Sequence, residues 1–384
     1  MADSIPLHTP APRHTPPPLY VPVLPARSSA LAAYAGLKPW IRAVTAPVWT
    51  VPPRTGPERL LGHRPEVLYD RDPVALAAHV RRRTVDIMRA QGALPAWVDA
   101  FHVEDEAGPV AGELWNHLPG SPLRPVTGVE RPEWQQDATA RTARASGNGL
   151  GVRVLLPGLP DERQAEAVRE LARRVREAGA GPLDLLLDLG AVTDEHHRAD
   201  KWAVRALELL GGLHRWRTVA LIAGSLPPDL SDVPVGEVTE PHRFDWDVRH
   251  LVLHVAGPDA LRPVYGDYGA QHVGGADQPT ERGGGPAWGL LRYTTERTFL
   301  LAKAPTGGPD RAERVRSLAL RLVETMDFRG PHFSDGDRWL DACARQSGSA
   351  GTGTPGRWIE AGHSQHMTYV TRQLSVSDPS GALN

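Results

Sequence analysis

The stretch Val264–Val273, VYGDYGAQHV, reads as a strand that ends on an acid, a phenol and an imidazole: Asp267, Tyr268 and His272. Ionisable groups at the end of an apolar run are costly to bury unless they are paired, so they mark either an internal ion-pair network or a ligand site. Other apolar runs end in the same way. Arg27 follows the first, Asp99 and His102 lie in the third, and Arg153 lies within the fourth. Asp188 closes the fifth, Ser225 the sixth, and Arg292 and Tyr293 belong to the eighth. The guanidiniums of Arg153 and Arg292 are planar donors suited to an anion, with Ser225 and Tyr293 as further substrate-binding groups. Asp188 and Asp267 have the chemistry of a general base, and Tyr268 and His366 that of a proton donor. Arg153 and Arg292 are also the natural ion-pair partners of Asp188 and Asp267.

This set points to an enzyme acting on a polar or anionic small molecule or a phosphodiester, without specifying the bond broken. The alternative is a non-catalytic binding protein that meets a protein partner through long loops at 104–150 and 274–286. Neither a metal nor a cofactor is assigned. His363 and His366, three apart in HSQHM, share a face if helical, but no further ligands accompany them. His196 and His197 read as a solvated loop pair. GNGLG at 147–151 precedes a strand, where a phosphate-cradling loop should follow one. FSDGDRW carries Asp335 and Asp337 around Gly336, a fragment of a calcium loop without its remaining ligands. Asp337 reads instead as the cap of a helix starting at Arg338.

The elements that must position these groups alternate. Strand-like runs at 19–27, 41–52, 96–103, 151–158, 182–192, 217–227, 261–269 and 289–304 are separated by helical patterns. In the clearest of these, Ala165, Val168, Leu171, Ala172 and Val175 form one apolar stripe behind an N-cap at Asp161. The runs LDLLLDLG and VALIAG are continuously apolar, as strands buried on both faces are. Eight such units predict a TIM-like β/α barrel of parallel strands, with an open doubly wound sheet as the alternative. Ligands would then meet the carboxyl ends of the strands. Segments 104–150 and 274–286 read as irregular insertions, 1–18 as a disordered proline-rich tail, 19–374 as a single domain and 375–384 as a flexible tail.

The 384 residues carry 43 basic and 45 acidic side chains, a balance that offers no bulk attraction to nucleic acid or anionic membrane. Apolar runs stay below the roughly 18 residues of a membrane span. Cys343 is a single cysteine, read as a buried structural thiol. A soluble cytoplasmic protein of unassigned oligomeric state is expected.

Several of these segments also resemble a family. YVPVLPAR, LLLDLG, IAGSLP, GDYGAQH, LLRYTTE, FSDGDRW and the closing GTPGRWIEAGHSQHM are similar, in that order, to motifs of the phage-type beta protein family of phages and bacteria. The resemblance spans about residues 19–374. It departs from the family pattern where Ser364 and Gln365 separate His363 from His366, and where Trp49 and Thr50 replace an expected acid. It implies no activity that can be transferred, only a context of phage–host conflict. It also implies that Asp188, Ser225, Asp267, Tyr268, Arg292 and Tyr293 are family-motif positions.

Overall fold

Apolar runs with no internal hydrogen-bond partners must pair with one another, and here they do so around a ring. The computed structural model describes residues 17–53, 59–61, 64–66, 73–107, 115–118, 120–192, 198–255, 261–276, 287–348 and 351–377. In chain order the strands are β1 (Tyr20–Pro25), β2 (Val48–Thr50), β3 (Arg59–Leu61), β4 (Arg64–Glu66), β5 (Ala96–Asp99), β6 (Leu123–Thr127) and β7 (Leu150–Leu155). They continue with β8 (Leu183–Ala191), β9 (Val219–Gly224), β10 (Val238–Thr239), β11 (Val264–Asp267), β12 (Trp288–Thr294) and β13 (Phe299–Pro305). The helices are α1 (Ser28–Ala35), α2 (Pro39–Val44), α3 (Pro73–Gln91), α4 (Phe101–Ala107), α5 (Glu133–Ser146) and α6 (Glu162–Glu177). After them come α7 (Ala199–Leu210), α8 (Phe244–Val255), α9 (Arg311–Val323), α10 (Asp335–Arg345) and α11 (Pro355–Ser377).

Eight parallel strands close into a barrel in the order β1-β11-β9-β8-β7-β6-β5-β2. Side chains alternate across each strand. Leu150, Val152 and Val154 of β7 and Leu183, Leu185 and Leu187 of β8 face outward onto Val168, Leu171 and Val175 of α6 and Ala203 and Leu210 of α7. The inward set packs Val21, Val23, Val48, Trp97, Val126, Leu186, Ala220 and Ile222 into one cluster that fills the middle of the barrel. The expected stripe of α6 is buried, and Asp161 caps that helix by accepting the Gln164 amide at 2.8 Å.

A smaller antiparallel sheet, β10-β13-β12, stands beside the barrel. Leu291, Tyr293 and Leu300 pack with Leu318 of α9, Trp339 of α10 and Trp358 of α11. Phe299 and Leu301 from this sheet meet Leu226 and Leu230, which follow β9. The sheet is thereby set over the carboxyl end of the barrel.

The closed eight-stranded ring matches the expectation, but one strand differs. The run 289–304 is not a barrel strand. It folds as the hairpin of β12 and β13, because Thr295–Thr298 turns the chain back and lets the two halves pair from Trp288–Pro305 to Thr294–Phe299. The missing barrel strand is β6, inside the stretch read as an irregular insertion. LRPVT escapes notice because Arg124 and Pro125 interrupt its apolar character, and because its first polar side chain faces into the barrel. Most of 274–286 and the pair His196–His197 lie outside the described residues, while Val273–Ala276 forms a 3-10 turn. The tails 1–16 and 378–384 also lie outside them, and α11 runs on to Ser377.

FSDGDRW receives a packing explanation. Ser334, not Asp337, caps α10, accepting the Asp337 amide at 3.0 Å. Gly336 is required because α10 touches the backbone of α11 there: a Cβ would stand 2.1 Å from the Ala361 carbonyl oxygen. Gly336→Ala should therefore force the two helices apart and cost about 2 kcal/mol or more. Urea unfolding of the full chain checks this; an unchanged midpoint contradicts it.

Candidate functional site

Asp267 and Tyr268 are neighbours in sequence, so an extended backbone must send them to opposite faces. Tyr268 turns into the barrel and packs in the inward cluster. Asp267 points outward beneath α11. The sequence-predicted residues therefore fall into separate groups.

The inward group sits at the carboxyl end of the ring. Arg153 of β7 is the hub. Its Nη1 donates to Asp99 Oδ2 at 2.6 Å, its Nε to Asp188 Oδ2 at 2.9 Å, and its Nη2 to Asp188 and to the Tyr268 hydroxyl at 3.0 Å. Tyr268 in turn donates to Asp188 Oδ2 at 2.7 Å. All four side chains are buried. The pairing of Arg153 with Asp188 expected from sequence is present. Burial, then the Asp188 charge, raise the Tyr268 hydroxyl well above its ordinary range, so it remains a hydrogen-bond donor.

Asp99 extends the layer. Arg131, in the loop after β6, donates to Asp99 Oδ1 at 2.9 Å, to Glu104 Oε2 at 2.6 Å and to Glu130 Oε1 at 2.9 Å. Gln135 of α5 donates to Glu104 Oε1 at 2.8 Å. Burial alone would raise the Asp99 carboxyl, but Arg131 and Arg153 together hold it at about 2. For Glu104 burial wins over Arg131, and its carboxyl is pushed up to about 7. Glu104 and Arg131 were not singled out in the sequence. The signal of Arg131 was hidden with β6, since only a strand at 123–127 brings the loop that follows it to this end of the barrel, and Glu104 of α4 is marked only by its bond to Arg131.

The outward group joins β1, β11, β12 and α11. Asp267 accepts the Tyr20 hydroxyl, the Gly269 amide at 2.8 Å and His366 Nε2 at 2.9 Å. Thr294 Oγ1 lies 2.8 Å from His366 Nδ1. Burial disfavours the Asp267 carboxylate, but His366, Tyr20 and the amide overcome it and lower its pKa. Thr294, His366 and Asp267 thus form a hydroxyl–imidazole–carboxylate line, yet each is almost fully enclosed. The line ties α11 and β12 to the outside of β11. His366 and Asp188 consequently belong to different groups.

Arg292 does not pair with Asp267, contrary to the sequence expectation, and among the described residues no carboxylate bonds to it. Its Nη1 donates to the Leu290 carbonyl at 3.1 Å. It lies where β12, α11 and the exit of β11 meet. Gly362 makes that meeting possible, since a Cβ there would stand 3.0 Å from Arg292 Cβ and 3.6 Å from Ala270 Cβ. His363 accepts the Ala270 amide on Nδ1 at 3.3 Å, which leaves the proton on Nε2. Burial, then Arg292, hold His363 at about 3, so it is neutral. Burial also lowers Arg292, to about 10. Three buried nitrogens on these elements have no acceptor: Arg292 Nε, His363 Nε2 and Gln271 Nε2.

Two predicted residues join neither group. Ser225 accepts the Asp245 amide at 2.6 Å and so anchors the start of α8. Tyr293 donates to Asp337 Oδ1 at 2.8 Å, in the core between the small sheet and α10. Cys343 is buried. Among the described residues there is no cluster of three metal-ligating side chains, and no helix is long and apolar enough to cross a membrane.

Glu104 yields a pH prediction. Its ordinary value is 4.5 and folding raises it to about 7. The stability it contributes is therefore full below pH 4.5 and is lost as the pH climbs through about 7. Glu104→Gln imitates the protonated form. Relative to the natural protein, its stability should improve by on the order of 2 kcal/mol on going from acid to mildly alkaline pH. Paired urea titrations across that interval measure it, and a difference that ignores pH contradicts the assignment.

Comparison with known proteins adds the family. No curated protein matches the sequence. Among solved structures, a Bacillus subtilis spore coat polysaccharide biosynthesis protein, spsE, is similar at 10% identity and a TM-score of 0.27, covering 76% of this chain and 87% of that one. A likeness at that score carries no argument about this chain. A sequence model described as Beta protein matches residues 20–372, from the first barrel strand to within the last helix. The chain belongs to the Beta protein family.

Proposed function

We propose that this chain binds a polar, anionic small molecule at the carboxyl end of its barrel, with Arg292 as the anion-binding group. One observation carries the reading: Arg292 Nε, His363 Nε2 and Gln271 Nε2 are buried donors without acceptors, on elements that meet at Gly362. Buried donors in folded proteins are almost always satisfied, so a set of three on adjoining elements calls for an acceptor from outside the chain. A phosphate or carboxylate group supplies several acceptors at once and suits a guanidinium without a carboxylate partner.

The Asp99–Arg153–Asp188–Tyr268 layer gives this reading its acid–base chemistry. Arg153 already donates through all three nitrogens, so it orients Asp188 and Tyr268 and leaves ligand capture to Arg292. The same observation also supports a non-catalytic reading, in which the layer only holds the barrel's register and the bound molecule or a protein partner is the whole function. The two readings share the Arg292 site and separate on turnover.

Thermal-shift and calorimetric titrations with inorganic phosphate, a sugar monophosphate and a nucleoside monophosphate test the site. Arg292→Ala should weaken the best of these by at least about tenfold, the equivalent of roughly 1.4 kcal/mol for one charged hydrogen bond. Equal affinity in the natural protein and Arg292→Ala removes the basis of the proposal. Where a bound compound is converted, Tyr268→Phe should lower kcat and leave affinity intact; binding without conversion assigns the non-catalytic reading.

A further inference from the structure

The opposite end of the barrel holds a second charged layer that no part of the reading above uses. Asp184 faces inward from the amino-terminal part of β8, opposite Gly151, whereas Asp188 lies opposite Leu155. Four residues of extended strand separate them by about 13 Å, with the apolar cluster between. Asp184 is saturated. Its Oδ1 accepts Arg217 Nε at 2.8 Å, and its Oδ2 accepts Arg217 Nη2, Trp97 Nε1 at 3.0 Å and Arg124 Nη1 at 3.4 Å. Two guanidiniums thus share one carboxylate, and Arg124 holds only the longest of its contacts.

Arg124 is 8% exposed and lies over the Trp97 ring with its guanidinium carbon 5.2 Å from the centroid. Among the described residues, only its Nη1 is hydrogen-bonded. Arg42 of α2 stands on the same cleft, donating Nη2 to the Ala90 carbonyl at 2.8 Å while its Nε is buried without an acceptor. The three arginines line a narrow cleft of about 30 Å³ that opens to solvent, whose other walls include Pro18, Ala43 and Pro95. Three positive charges around one saturated carboxylate leave a surplus of two in a partly apolar, partly enclosed space. Burial, and then the neighbouring Arg217, weaken Arg124's hold on its proton even against Asp184, bringing it to about 10. This is the electrostatic cost of a cation lacking a full counter-charge.

We infer that the amino-terminal mouth of the barrel is a binding site for a small oxyanion, a phosphate- or carboxylate-bearing molecule whose charged group meets Arg124 and Arg217 and whose body rests on the proline and alanine wall. The site is independent of Arg292, which belongs to the other end of the ring. An oxyanion placed there would give Arg124 a counter-charge nearer than Asp184, offer an acceptor to the buried Arg42 Nε and neutralise part of the surplus charge. Planar guanidiniums match either oxyanion in bidentate geometry, so the two sources share one recognition chemistry.

Isothermal titration of the full chain with inorganic phosphate and, separately, with benzoate tests the inference. At least one should bind saturably, and which one binds identifies the oxyanion class. Arg124→Gln should weaken it at least tenfold, while Arg292→Ala, which removes binding only at the other end of the ring, leaves this Arg124-dependent binding unchanged. Ala43→Glu, at an exposed wall position, places a carboxylate at the mouth without disturbing the core and should weaken binding as strongly. If Arg124→Gln does not fold, Ala43→Glu decides. Absence of saturable binding by the natural protein, or undiminished binding in the deciding variant, overturns the site. A loss in Arg292→Ala equal to that in Arg124→Gln overturns its independence.

Discussion

The structure depends on a buried guanidinium. Arg153 projects into the barrel from β7 and is the only group described that reaches Asp99 of β5, Asp188 of β8 and Tyr268 beyond β11 at once. An unpaired charge in that space would cost several kcal/mol, and so would either carboxylate without it. The pairing therefore specifies which strands stand opposite one another, and in which register. Arg131 repeats the device one strand away, joining Asp99 to Glu104 and Glu130. The lumen is thus charged at both ends and apolar between, with Trp97 and Leu186 among the side chains separating the Asp188 layer from Asp184.

Strand parity sorts the remaining chemistry. Because Asp267 and Tyr268 cannot face the same way, β11 contributes to two networks, one inside the ring and one under α11. The outer network makes α11 part of the barrel wall: Asp267 holds His366, His366 meets Thr294, and Gln365 bonds both backbone groups of Thr294 at 2.9 Å, covering the free edge of β12. A buried hydroxyl–imidazole–carboxylate line is accordingly an architectural strap here. Among the buried atoms left without a partner are Arg292 Nε, His363 Nε2 and Gln271 Nε2 near one end of the barrel and Arg42 Nε near the other.

How much of this was legible in the sequence differs by element. The helix of residues 162–177 was readable in full, cap and stripe, because its signals are local. The strands 183–191 and 219–224 were readable because burial on both faces leaves an unbroken apolar run. β6 was not readable, since five residues containing an arginine and a proline carry no period that stands out from a loop. The hairpin of β12 and β13 took its place in the count for the opposite reason: it is long and apolar, yet its pairing is to itself. For the site, Arg153, Asp188 and Tyr268 were recognised by their cost in apolar surroundings. Arg131 was not, because its placement follows from β6; Glu104, in α4 just beyond β5, stands out only through its pairing with Arg131.

The sequence alone determined the alternation of strands and helices, the barrel class and the family. These are local periodicities and ordered motifs, expressed over a few residues at a time. Only the tertiary structure decided which eight strands close the ring, that Arg292 stands apart from Asp267, and that Arg124 and Arg217 share Asp184. Each of those is a contact between residues far apart in the chain. Its partner is selected by closure of the barrel and by the demand that buried charge be neutralised, and neither condition is written in the neighbourhood of any one residue.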